Sequence, residues 1–337
     1  MRQSKSVASL LSLILVVLCL TPAMAFSAET EMLSVTETGP ISPPTGQIAF
    51  IRDKNVWMMN CDGTGQMVVT NVGNADGRVC WAPDNQSIAF TRSGSVDLRQ
   101  PDNMGGRHKV YDIFLCYPDK AKKDSTQYWY RLTSDLGNRD PQWVDSNTII
   151  FWKDMNANKV NAEMPNYQIC LMEADGGMVQ ILRKDWQNMT EKFLTQPSMN
   201  NNGDIAFVYF SGQTQVGLTK LNISEIMTNI DTLGYRADKN RGMVAPAWSP
   251  DGKWIAAVSN NMNDAGLYIY TADLSKKYLV AAPAGTYLRP MAASFSPDSR
   301  WVTFATTDGS IWICDITGGG LKRLTGPGSD IAPAWSH

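Results

Sequence analysis

The chain has 337 residues, with 30 Lys and Arg against 32 Asp and Glu and only two His, for a net charge of −2. That balance, without a basic tail or dense basic patch, argues against a nucleic-acid interface built on phosphate neutralisation. Hydrophobic residues make up 43% and charged residues 18%, enough apolar material for a large packed core.

Taken in chain order, residues 1–25 read as a secretory signal. Arg2 and Lys5 precede an apolar run from Val7 to Leu20, and Ala23-Met24-Ala25 forms a small-x-small cleavage site. The run is short for a membrane span. Cys19 follows Leu18, where a lipid-attachment signal needs a small residue. The expected location is periplasmic or secreted, with no stable membrane span after cleavage. Residues 26–44 are polar, acidic and Pro-tipped, and read as a linker. Without the signal the chain has 28 basic and 32 acidic residues.

From Thr45 onward the chain repeats itself. "PAWSPDGKWIAAVS" at 246–259 is the fullest copy. Ser249-Pro250-Asp251-Gly252 has the residues of a tight turn, with Gly252 at positive φ, and Trp254–Val258 reads as a buried strand. Pro246, lacking an N–H, suits the start of the preceding strand. Related copies are "VCWAPDNQSIAFT" from Val79, "PQWVDSNTIIFW" from Pro141, "PSMNNNGDIAFVY" from Pro197 and "ASFSPDSRWVTFA" from Ala293. Asn85 and Ser299 stand where Gly252 stands, so Ser299→Gly is expected to be neutral or stabilising. The slot residues Trp81, Trp143, Met199, Trp248, Phe295 and Trp335 are separated by 62, 56, 49, 47 and 40 residues. That spacing suits a four-stranded blade plus loops. The chain opens with half a copy, "TGQIAFI" at Thr45, and closes with the complementary half, "PAWSH" at 333–337. The predicted fold is all-β: a six-bladed β-propeller of four-stranded blades over 45–337, its ring closed by pairing of the C-terminal strand with the N-terminal blade. The slot aromatics read as wedges between blades.

The Pro-x-Trp-Ser-Pro-Asp-Gly-Lys-x-Ile-Ala pattern at 246–256 resembles the repeat of TolB-type β-propellers, and the resemblance covers about 45–337. It implies an envelope scaffold that binds proteins or peptides. TolB carries a separate α/β domain before its propeller. Here only the linker, about 20 residues, precedes the repeats, so the expectation is a propeller acting without that domain.

The residue inventory favours binding over catalysis. Metalloprotease, Cys-x-x-Cys, Gly-x-Ser-x-Gly and phosphate-loop patterns are all missing from the sequence. The two histidines are His108, in a long insertion, and His337. No cofactor is expected. Asp154, Asn156 and Asn158 start a calcium-loop spacing, but Lys159 stands where the loop needs Gly and Pro165 where it needs Glu. The cysteines beyond the signal, Cys61, Cys80, Cys116, Cys170 and Cys314, are odd in number and read as buried thiols. Two adjacent repeats carry long insertions, Ser93–Asp112 and Lys153–Asn166, expected on the face where the chain enters each innermost strand. Arg78, Arg139, Asp140, Arg289 and Asp330 are expected to ring the channel mouth there. Arg99, Arg107 and His108 of the first insertion complete the candidate partner-binding set, for an envelope protein or peptide. The alternatives are a carbohydrate-active hydrolase or lyase using the channel, and a structural envelope subunit.

Overall fold

The computed structural model describes residues 41–97, 107–123, 128–158, 166–182, 193–210, 214–220, 236–237, 242–259, 265–281 and 287–337. The signal and most of the linker lie outside the described residues. The fold is an all-β β-propeller whose blades are four antiparallel strands. Six four-stranded sheets are present. The first contains β1 (Gln47–Arg52), β2 (Asn55–Asn60) and β3 (Met67–Val68), and takes its innermost strand, β24 (Ile331–Trp335), from the other end of the chain. The second contains β4 (Ala75–Trp81), β5 (Ile88–Asp97), β6 (Arg107–Cys116) and β7 (Trp129–Arg131), with a short helix α1 (Pro118–Lys123) before β7. The third contains β8 (Asn138–Trp143), β9 (Thr148–Asp154), β10 (Tyr167–Glu173) and β11 (Gln180–Ile181). The fourth contains β12 (Phe193–Met199), β13 (Asp204–Phe210), β14 (Thr214–Lys220) and β15 (Arg236–Ala237). The fifth contains β16 (Met243–Trp248), β17 (Trp254–Ser259), β18 (Gly266–Thr271) and β19 (Lys277–Ala281). The sixth contains β20 (Leu288–Phe295), β21 (Trp301–Thr306), β22 (Ile311–Asp315) and β23 (Lys322–Arg323).

The strands sit where the repeats place them, because the local chemistry is strong. The turn residues Asn85, Gly252 and Ser299 all hold positive φ, at 58°, 69° and 60°. Second strands such as β17 and β21 are buried after their first residue, as expected for sheets covered on both faces. The slot residues Trp81, Trp248, Phe295 and Trp335 are buried. A recurrent threonine ends the fourth-strand segment: Thr70, Thr133 and Thr325 accept the N–H of Val56, Ile113 and Ile311 on the third strand. That satisfies a buried donor just beyond each short outer pairing.

Three expectations change. Pro246 does not start its strand; it lies inside β16, at a β-bulge where the register shifts between Val244 and Ala247. The same device recurs, with a residue in the left-handed region followed by proline, at Asp140-Pro141, Gln196-Pro197 and Ala332-Pro333. A bulge leaves one residue outside the ladder, so proline costs no hydrogen bond there. In β4 the bulge holds Gly77 and Arg78 instead. Second, the insertion beginning at Ser93 is no loose loop at its base: β5 and β6 stay paired as far as Asp97↔Arg107. Third, Ser299 is not merely a poor turn residue, since its Oγ accepts the N–H of Asp251 from the neighbouring turn at 3.1 Å.

Candidate functional site

The segments entering β4, β8 and β24 meet the ends of the second and third strands, which puts the insertions and these segments on one face. Asp76 pairs with Lys109 at 2.5 Å. Leu136 accepts from Tyr111, and Gly137 accepts from Asp154. Arg52 holds Asp330 by two bonds of 2.6 and 2.7 Å. Asp112, buried beneath this face, accepts from Arg131, Thr133, the Leu136 N–H and Asn138.

The predicted rim charges divide. Asp330 is 2% exposed and serves Arg52, whose guanidinium is raised above its ordinary value, first by that hydrogen bond. Asp140 is buried as well. Its Oδ1 accepts the Arg78 N–H at 2.9 Å, its Oδ2 accepts the Trp152 indole N–H at 2.8 Å, and its own N–H donates to Thr91. Arg78 is not at the mouth: it is 2% exposed, and its Nη2 donates to the Pro246 carbonyl on β16, three sheets away, at 3.3 Å. It crosses the channel and floors it. The expectation of partner contacts at the mouth is corrected for these three: Arg78 and Asp140 are buried at bulges, and Asp330 is buried just before β24 against Arg52.

Arg139 alone among the fully described candidates remains half-buried and uncommitted. Its guanidinium lies 3.9 Å from the Tyr111 ring centre and 5.1 Å from that of Trp152, and Tyr167 packs edge-on to Trp152 at 4.8 Å. Its Nε is buried without an acceptor among the described residues. The aromatic collar comes from three different strands, so no local sequence signal announced it. Arg107, His108 and Arg289 lie on β6 and β20, but their side chains, and the whole of Arg99, are outside the described residues. His108 is therefore a strand residue rather than a loop residue. In the other insertion, Asp154 Oδ1 accepts the N–H groups of Asn156 and Asn166 at 2.9 Å each. Asn158 lies in the turn that comes next. Among the described residues no three His, Cys, Asp or Glu come together as a metal site would require.

Beyond the Arg78 floor the channel widens into a cavity of about 160 Å³. Its lining reaches the turns at Pro250 and Pro297.

No protein-family profile matches the chain. The Tol-Pal system protein TolB of Anaeromyxobacter dehalogenans is 28% identical over 98 residues, which is 28% of this chain and 21% of that protein. The aligned stretch thus spans about a fifth of the curated relatives it matches. TolB from Acinetobacter baumannii superposes with a TM-score of 0.62 at 18% identity, over 90% of this chain and 69% of that one. A putative TolB from Agrobacterium tumefaciens gives 0.54 at 13% identity, over 87% and 91%. A chain of a nidogen/laminin complex gives 0.59 at 7% identity, over 86% and 97%. The fold and repeat define a β-propeller. Within that class, the chain is similar to TolB proteins in one stretch of sequence and in fold.

Proposed function

We propose that this chain is an exported, non-enzymatic propeller of the cell envelope, closed as a six-bladed ring, that binds a protein or peptide on its insertion face. The closure is supported by the pairing of β24 with β1, and by contact of β24 with both β4 and β20. Export rests on the signal at 1–25. Binding rests on one observation: Arg139 is a cation held in an aromatic collar, beside two long insertions, with no ion pair or hydrogen bond of its guanidinium to the described residues. Guanidinium groups stacked on aromatic rings keep their donors aimed outward and suit acidic partners. The Tol-Pal system named for the curated relatives is one place for such a partner.

Arg139 and Arg289 changed together to Glu test the reading, with a partner captured from the native envelope. Rim charges act mainly on association rate. Association is expected to slow about tenfold or more at low salt and to converge with the parent at high salt, with the melting temperature unchanged. Replacing 98–106 by a short Gly-Ser link, which spares the β5–β6 ladder, is expected to weaken binding further. Unaltered binding by both variants would move the site to the opposite face.

A further inference from the structure

Arg52, Arg92, Arg139 and Arg323 each lie over an aromatic ring, so cation–ring contact is a packing device of these sheets. In three of the four the guanidinium is bonded as well. Arg52 holds Asp330, Arg92 donates to Asn74, and Arg323 donates to Asp308 and Ser310. Arg139 departs from that pattern, with no acceptor for its guanidinium among the described residues. It pairs with Trp152 across β8 and β9, and the Tyr111 ring of β6 lies 3.9 Å from it. Its Nε is buried, but Nη1 and Nη2 of this half-buried side chain are neither bonded nor buried. The carboxylates of the neighbouring segments are engaged elsewhere. Asp140 accepts the Arg78 N–H and the Trp152 indole, Asp76 holds Lys109, and Asp154 accepts the N–H groups of Asn156 and Asn166. One fixed cation on this face is therefore left without a counter-charge.

We propose that Arg139 anchors one carboxylate side chain of an acidic peptide, which Nη1 and Nη2 take as a fork. This names the partner chemistry of the insertion face and rests on that face being the binding face. A planar carboxylate matches the two free donors. The Tyr111 ring fixes the guanidinium plane before the ligand arrives, so little side-chain freedom is lost on binding. Lys109 lies over the same Tyr111 ring at 5.2 Å, but Asp76 already balances its charge. One unpaired cation balances one negative charge, whereas a phosphate dianion would leave a charge uncompensated at the collar. A hydrogen-bonded charge contributes only about 1.5–3 kcal/mol net. That is less than association costs, so the carboxylate has to come on a longer chain that touches more of the face.

The test titrates fluorescein-labelled, capped hexapeptides with the full chain after signal removal, following anisotropy at low salt. The probes are hexaglutamate, hexaglutamine, and alternating phosphoserine and serine, whose charge is about that of hexaglutamate. Saturable binding of hexaglutamate is expected, with hexaglutamine weaker by about tenfold or more, the equivalent of about 1.4 kcal/mol. Arg139→Lys keeps the charge and loses the fork, and should weaken hexaglutamate about three- to tenfold. Arg139→Met should bring hexaglutamate down to the level of hexaglutamine. Tyr111→Leu keeps the cation but frees its plane, and should fall between the parent and Arg139→Met. Should Arg139→Met melt below the parent, Arg139→Lys carries the comparison. The proposal is overturned if hexaglutamine binds as well as hexaglutamate, if both Arg139 variants bind hexaglutamate like the parent, or if the phosphoserine peptide binds more tightly through Arg139. In any of these cases a captured partner that still slows with Arg139 and Arg289 changed to Glu leaves the insertion-face reading standing. Selection of hexaglutamate through Arg139, with a captured partner indifferent to that double change, supports the anchor and removes the reading.

Discussion

Ser198, Ser294 and Cys80 each stand one residue before the aromatic slot of their innermost strand, and each serves the next sheet. They accept the backbone N–H of Trp248, Trp335 and Trp143 at 3.0, 2.9 and 3.3 Å. An innermost strand is an edge strand, and these side chains satisfy donors that no ladder reaches. Ser198→Ala is therefore expected to cost about 1–3 kcal/mol, the penalty of a buried donor left unmade. Urea denaturation reads it directly, and an unmoved midpoint would mean that water replaces the hydroxyl. At the turns, Gly252→Val should destabilise although there is room for the side chain. A Cβ at this position would lie 3.6 Å from the Asn200 amide, so the cost comes from a β-branched residue at φ 69°. Ser299→Gly reverses its expected sign. Relief at φ 60° is offset by the freer unfolded chain, and the lost bond to Asp251 decides, giving a loss of up to about 1 kcal/mol. Paired thermal melts of the two variants check both.

Among the elements, β24 has the largest consequence for its length. It pairs Trp335 with Ile48 and Ile331 with Ile51, while Asp330 before it holds Arg52. Truncation after Pro327 removes the ladder, buries one aromatic fewer and leaves the Arg52 charge without its carboxylate. The expected loss is several kcal/mol. A truncated chain that melts like the parent would contradict the closure. The β18–β19 turn gives a pH test. Hydroxyl bonds from Ser275 and Thr271, and the Ser275 N–H, hold the Asp273 carboxyl down to about 2, from an ordinary value of 3.8. A depressed acid contributes stability that is complete above its unfolded value and is lost as pH falls through its folded value. Between pH 4 and 2 the parent should lose its margin over Asp273→Asn, and the two urea midpoints should converge. Because this carboxyl is exposed, the margin is small.

On the scale of the whole molecule, the five described cysteines are free thiols, and Cys61, Cys116, Cys170 and Cys314 are buried. Burial pushes Cys80 up to about 11 and Cys170 up to about 12. The thiolate is the reactive form. Disulfide exchange with an aromatic disulfide reagent at pH 8 should be slow in the folded chain and prompt in urea, and reductant should leave the melting temperature unchanged. Rapid labelling of the folded chain would show an opening in these sheets. The repeats, the strands, the positive-φ turns and the complementary half-copies at the two ends were all legible in the residues. Each depends on contacts within one hairpin, or on a pattern that names its own partner, and local torsional preference writes such features into short stretches. The inward turn of Arg78, Asp140 and Asp330 was not legible, nor was the collar that Tyr111 and Trp152 form around Arg139. A bulge rotates a side chain by a register shift that alternation alone does not reveal, and residues from separate sheets meet only when the sheets pack. The sequence by itself determined the blades and their order; the tertiary structure decided which charges are buried and paired within the fold and which stay half-buried at its face, because burial and pairing are properties of the assembled sheets.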